Sequence, residues 1–213
     1  YGRHAAVCQY GVDSETFRPL ALPTERLILS IGRIVKTKQH EAAVEAVAMI
    51  SPRVRPRLII ATPESPDRLE DREYCDKIER LAKDTQVDLE MMFRPSQQEL
   101  ARLYNRATAL VFVPVMEPFG MVGLEAMACG TPVIGVKEAG IREFVVDGMN
   151  GILVERDSAE IADAIRRLTE DAAMRSTLSR QGADHVLRQW TWERAADRYE
   201  GEILKLLKRK ETL

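Results

Sequence analysis

The chain has 213 residues, 45% of them hydrophobic and 30% charged, and a formal net charge of −2. That composition fits one ordinary soluble domain with a full core, and it excludes the global basic field that draws nucleic acid or an anionic membrane, so any anion site must be local. Cys8, Cys75 and Cys129 lie far apart without C-x-x-C spacing, and no apolar run is long enough to span a bilayer; this points to a reducing compartment and away from a disulfide framework or a zinc site.

The chain opens at Tyr1 with no initiator Met and no signal-peptide pattern. Cys8–Pro19 reads as a mid-protein connection, so an excised domain of a longer protein is expected, with 1–20 as linker remnant, 21–190 as the folded unit and 191–213 as a closing helix. Leu27–Ile31 is a short apolar run bounded by Gly32, as a buried parallel strand requires. A helix is predicted over Gln39–Met49, ended by Pro52 and Pro56. Leu58–Ala61 is the second strand. Thr62–Glu73 contains prolines and many charges and reads as a surface loop, followed by a helix over Tyr74–Asp84 and a strand over Val87–Phe93. Gln97–Ala107 is an amphipathic helix with Leu100, Leu103, Tyr104 and Ala107 on one face. Ser96 is its N-cap, with Glu99 placed to complete a capping box.

Ala109–Val113 reads as a strand that delivers the chain to Glu117 and an apolar helix. Pro132–Val136 is the next strand, followed by Gly140 and a short helix from Arg142. Asp147-Gly148 and Asn150-Gly151 are turn signals, and Ile152–Val154 is the last strand. Ser158 is read as the cap of a helix to about Leu168, with further helices over Asp171–Leu187 and Trp190–Lys210. Strand and helix alternate about six times, which argues for an α/β, Rossmann-like doubly wound parallel sheet of about six strands. Ligands bind such sheets beyond the carboxyl ends of the strands.

Two stretches stand where such a ligand would lie. From Pro118 to Val136 the single charged residue is Glu125. A buried carboxylate needs a partner, and a bound ligand or a core Arg could each supply one. Pro118 suits the first helical position, which would leave the amides of Phe119, Gly120 and Met121 without intrahelical acceptors and make an anion site. Glu117 would then stand about 12 Å from Glu125 along one helix, a span that suits an extended ligand with a phosphate in its middle. Glu117 alone also reads as a dipole partner, and Gly120 and Gly123 as aids to close packing. The second stretch, Ser30–Lys38 (SIGRIVKTK), ends the first strand in Gly32-Arg33 and opens the next helix with Lys38. Two cations beside a helix N-terminus suit a diphosphate, although exposure is the commoner fate of Lys and Arg.

Glu-Pro-Phe-Gly, Leu-Glu-Ala-Met-Ala and Gly-Thr-Pro-Val-Ile resemble the signature of retaining nucleotide-sugar glycosyltransferases of the GT-B fold. More narrowly, Glu117 and Glu125 match the E-x7-E motif of glycosyltransferase family 4. Gly32-Arg33…Lys38 is similar to that family's G-R-L-x-x-x-K, with Gln39 where a Gly usually follows. The resemblance implies half of a GT-B fold that binds a UDP-, GDP- or ADP-sugar and needs no cofactor and no metal; no Asp-x-Asp is present. It implies Arg33 and Lys38 on the donor diphosphate, with Gly32 in the same turn. Glu117 would hold sugar hydroxyls, and the amides of Phe119, Gly120, Met121 and Val122 would meet sugar and diphosphate. Glu125 would accept from the ribose diol, and Arg94-Pro95, where Gly is frequent, would line the base through backbone. A missing N-terminal domain of the same protein would hold the acceptor, so this half alone is expected to transfer little or nothing. Nucleic acid is not an expected partner. A cytoplasmic location is implied, with any membrane contact confined to the missing half. The rival readings are a non-catalytic nucleotide-binding module of the same fold and a dinucleotide oxidoreductase; the latter requires a G-x-G-x-x-G that Gly32-Arg33-Ile34 does not supply. His4, His40 and His185 read as packing or surface residues, and Trp190 and Trp192 as core packing.

Overall fold

A computed structural model describes residues 5–210, so His4 lies outside the described residues. Six strands form one parallel sheet in the order β3-β2-β1-β4-β5-β6: β1 Leu27–Ile31, β2 Arg57–Thr62, β3 Leu89–Phe93, β4 Ala109–Phe112, β5 Val133–Val136 and β6 Ile152–Val154. The doubly wound α/β expectation is met. All residues of β1, β4 and β5 are buried, as a sheet covered on both faces demands. Each fully buried Leu or Ile there contributes about 2 kcal/mol of transfer free energy.

The helices are α1 His40–Ala48, α2 Leu69–Asp84, α3 Gln97–Arg106, α4 Met121–Ala128, α5 Ser158–Glu170, α6 Ala172–Gln189 and α7 Trp192–Lys210. α1 packs on α2 and α5, and α4 packs on α3 and α6. The chain leaves β1 toward β2 but leaves β4 toward β5. Right-handed crossovers therefore put α1 and α4 on opposite faces and open a crevice where the order reverses, between the loops after β1 and β4.

The capping box is present: Ser96 Oγ accepts from Glu99 N–H at 3.2 Å and Glu99 Oε2 accepts from Ser96 N–H at 2.7 Å. Several boundaries need correction. α4 begins at Met121, not Pro118, because Gly120 is its N-cap at φ +98°. Gly140 holds the preceding segment out of the helix: its N–H donates to Glu117 O at 3.1 Å, and a β-carbon on it would stand 2.2 Å from Pro118 O. Glu117 and Glu125 are therefore not spaced along one continuous helix. α2 starts at Leu69, so the expected Thr62–Glu73 loop is shorter; Glu70 and Asp71 favour the helix start, and the Arg72 side chain holds the preceding turn through Pro66 O and Asp67 O. β3 starts at Leu89 rather than Val87, because Gln86 is left-handed and Val87 N–H closes onto Ala82 O. The cap of α5 is Asp157, not Ser158: its Oδ1 accepts from the amides of Ala159 and Glu160. A 3-10 turn over Ala139–Glu143 starts before Arg142. α7 starts at Trp192, after a break at Trp190 and Thr191 where Val12 N–H donates to Trp190 O at 2.7 Å.

Candidate functional site

A cavity of about 300 Å³ opens at the carboxyl ends of β1 and β2, with Gly32, Arg33, Lys38, Leu100, Val122 and Glu125 among its lining. Larger hollows exist, such as one of about 460 Å³ between Ile34 and the first turns of α2, but its charged lining is of mixed sign and, Asp71 apart, solvent-exposed: Lys36, Glu70, Glu73, Lys77 and Arg80. The smaller cavity brings the half-buried Glu125 together with Arg33 and Lys38 at the carboxyl ends of the strands.

One wall is the turn between β1 and α1. Gly32 N–H donates to Ala61 O at 3.0 Å, and Lys36–Lys38 form a 3-10 turn. Gln39 then opens α1 at φ +56°. The glycine that the resemblance places at this position is absent, yet the left-handed backbone is kept. His40 is buried beneath this turn: its Nε2 donates to Arg33 O at 3.1 Å, so its Nδ1 accepts from Ser30 Oγ at 2.8 Å. Burial pushes its pKa down from 6.5 to about 4, so the ring is neutral near pH 7. His40 is a packing residue, as expected, but one that fixes the Arg33 carbonyl. The Arg33 side chain is exposed.

The opposite wall is the loop after β4 and the start of α4. Arg156 holds that loop, donating to Val113 O at 3.1 Å and Pro114 O at 2.7 Å. A β-carbon on Gly120 would stand 2.9 Å from Phe112 Cε1, so glycine is required there for space as well as for φ. Met121 and Val122 open the helix with amides that helix geometry leaves without intrahelical acceptors, whereas Gly123 N–H closes onto Gly120 O at 2.9 Å. The Phe119 ring turns away into an aromatic cluster with Phe144, Trp190 and Tyr10, at centroid distances of 5.7, 5.8 and 5.9 Å.

Among the described residues, no cation pairs with Glu125. Its Oε2 accepts from Tyr104 Oη at 3.0 Å. Burial raises the Glu125 pKa, and the Tyr104 hydrogen bond partly opposes that shift. Tyr104 is fully buried, and burial together with the Glu125 charge pushes its own pKa well up, so the phenol stays a donor. The sequence placed Tyr104 on the apolar face of α3 but did not pair it with Glu125; a buried tyrosine's need for a hydrogen-bond partner was the available signal. Arg156 had no signal.

The two walls meet. Val115 N–H donates to Thr37 O at 2.8 Å, and Lys38 Nζ pairs with Glu117 Oε2 at 2.5 Å. Lys38 Nζ also lies 5.8 Å from the Phe112 ring centroid. Of the ten residues singled out in sequence, Gly32, Arg33, Lys38, Val122 and Glu125 line the cavity, while Glu117 joins it through Lys38. Gly120 and Met121 open the helix beside it. Phe119 directs its ring elsewhere. Arg94 is exposed and turned toward Asp67 at 3.7 Å, while its neighbour Pro95 lines the cavity. Arg94 keeps φ +53°, a second left-handed position where the resemblance expects glycine. Among the described residues, no group of three or more His, Cys, Asp or Glu is placed to hold a metal ion, and no helix is long and apolar enough to cross a membrane. Two cations, a half-buried carboxylate and a helix N-terminus can together bind an anion and a diol.

The description "Glycosyl transferases group 1" matches residues 12–185. A D-inositol 3-phosphate glycosyltransferase of Frankia alni is 38% identical over 185 residues, which cover 79% of this chain and 45% of that protein. A sucrose-phosphate synthase from Thermosynechococcus elongatus superposes with a TM-score of 0.85 at 30% identity, over 95% of this chain and 52% of that one. The C-terminal domain of a glycosyl transferase group 1 family protein from Francisella tularensis superposes with a TM-score of 0.73 at 26% identity, over 85% of this chain and 99% of that one. The chain thus spans about half the length of the curated relatives it matches.

Proposed function

The chain belongs to the group 1 glycosyl transferases, and from that premise we propose that it is the donor-binding half of a GT-B enzyme, holding a nucleotide-diphosphate sugar for transfer, with retention, to an acceptor on an N-terminal domain. The observation that carries this reading is the crevice at the sheet's reversal point, where Arg33, Lys38 and the half-buried Glu125 share one cavity. Glu125 accepts from the two hydroxyls of the ribose with the oxygen capacity that Tyr104 leaves over. Arg33, Lys38 and the first amides of α4 hold the diphosphate. Glu117, beside them, accepts from the sugar hydroxyls. The base lies toward Thr62, Pro63, Pro95 and Leu100.

Transfer breaks the bond between the anomeric carbon and the phosphate oxygen. The nucleoside diphosphate keeps that electron pair, and the acceptor oxygen bonds the carbon and loses its proton. The positive field of Arg33, Lys38 and the α4 N-terminus stabilises the departing charge, so no metal is required. Tyr199, Ile203 and Leu207 are half-exposed at 48%, 55% and 54% on one stripe of α7, and that stripe is the face for the N-terminal domain. The same dependence makes this half a donor binder with little or no turnover alone. The free thiols Cys75 and Cys129 are buried, which suits a cytoplasmic protein.

Calorimetric titration with UDP-, GDP- and ADP-sugars tests the reading. One nucleotide sugar binds more tightly than its free nucleotide, and Arg33→Ala or Glu125→Ala weakens it at least tenfold. Equal binding of nucleotide and nucleotide sugar would instead mark a non-catalytic nucleotide-binding module.

A further inference from the structure

The ammonium that a donor diphosphate needs already has a partner in the protein. Lys38 Nζ and Glu117 Oε2 are 2.5 Å apart, and both side chains are only 19% exposed. Other ion pairs, such as Arg57 with Glu90 at 41% and 42% exposed, sit in far more water, where such pairs contribute little. The Lys38–Glu117 pair is also not a chance meeting of two mobile chains. Val115 N–H on Thr37 O docks the two loops, and Gly140 N–H on Glu117 O fixes the backbone of the acid. Gly32 leaves room for the lysine stem, since a β-carbon there would lie 3.2 Å from Lys38 Cδ.

We infer that Glu117 is a specificity device that competes for Lys38 against a bare nucleoside diphosphate and is drawn off by an attached sugar. The inference rests on the donor-binding reading above. A free nucleoside diphosphate ends in a phosphate with more negative charge than the esterified phosphate of a sugar nucleotide. Placed beside Glu117, that terminal phosphate contends for the same ammonium and meets a like charge in a partly dehydrated setting. A sugar nucleotide brings hydroxyl donors to the same place. Glu117 can accept from them, and Lys38 is left to the diphosphate. The Phe112 ring beneath the ammonium supports it in either arrangement. Glu117 thereby favours the intact donor and weakens the hold on the spent nucleotide. This differs from a plain sugar contact, which would leave the affinity of the bare nucleotide untouched.

The test is calorimetric titration of this chain and of Glu117→Gln with the pairs UDP and UDP-glucose, GDP and GDP-mannose, and ADP and ADP-glucose. The expected result is that Glu117→Gln binds the bare nucleotide of the recognised pair about fivefold more tightly than the parent chain, while the sugar nucleotide gains nothing. In Lys38→Met/Glu117→Gln that gain over Lys38→Met alone is smaller, because only the like-charge relief remains once the contested ammonium is gone; a gain of the same size would overturn the competition for Lys38. Gln keeps the size of Glu, and melting curves verify that each variant is folded. If the parent chain binds a pair but Glu117→Gln leaves the bare nucleotide unchanged or weaker, the competition is overturned and the donor-binding reading stands. If the parent chain binds none of the six, both are overturned.

Discussion

The two walls of the crevice carry out one task with different parts. On one side α1 opens at Gln39, on the other α4 opens at Gly120, and both residues are left-handed, at φ +56° and φ +98°. Neither cap spends a side-chain oxygen on the amides behind it, as an ordinary Ser or Asp cap would. Each wall also rests on one buried polar side chain, His40 under the basic turn and Tyr104 under the acidic helix. The difference lies in what the β-carbon meets. At position 120 it would meet the Phe112 ring, so only glycine fits; Gln39 carries its β-carbon and even returns its amide to Lys36 O at 2.8 Å. A left-handed opening is what both walls require, and glycine is required only where a ring takes the space.

Gly120→Ala should break the comparison hardest. It adds a clash at 2.9 Å to an unfavourable φ, a cost of about 3 kcal/mol or more, read as a fall in melting temperature of roughly 6–12 °C together with lost nucleotide-sugar binding.

His40 sets an acid limit on the other wall. Its pKa is 6.5 unfolded and about 4 folded, so between those values the unfolded chain binds more protons. Stability should therefore be fully present above pH 6.5 and fall as pH drops toward 4, by about 3 kcal/mol in total. Urea melts at pH 7 and pH 5 check this, and His40→Gln should show a shallower acid slope.

Tyr104→Phe leaves Glu125 with a buried charge and no protein donor. It should cost about 1–3 kcal/mol of stability. It should also weaken a ribonucleotide more than its 2′-deoxy analogue, since the carboxylate loses the bond that orients it.

The smallest effect sharpens the comparison. Gln39→Gly relieves the left-handed strain but loosens the unfolded chain, for a net gain of less than about 1 kcal/mol in denaturant melts.

The strands were legible because burial on both faces writes itself as apolar runs such as Leu27–Ile31, and the Ser96 capping box because its two partners are three residues apart. The start of α4 was not, because what keeps Pro118 out of the helix is Gly140, which approaches it closely from the turn after β5, some twenty residues on in the chain. The candidate site divides the same way. Glu117, Glu125, Arg33 and Lys38 stood out by type and spacing. Their partnerships did not, since Lys38 meets Glu117 across 79 positions and Tyr104 meets Glu125 across 21. Local chemistry names the groups; only the topology decides which of them touch.

The central strand has a cost in time. β1 pairs with β2 on one edge and with β4 on the other, where Ile28 aligns with Ala109. Those two neighbours are roughly eighty residues apart, so that closure is slow compared with local helix formation. During synthesis the Leu27–Ile31 strand leaves the ribosome well before its second neighbour exists, with one bare hydrogen-bonding edge and four apolar side chains available to other nascent chains. The strand that anchors the finished sheet is thus the segment most in need of shielding while the chain is still being made.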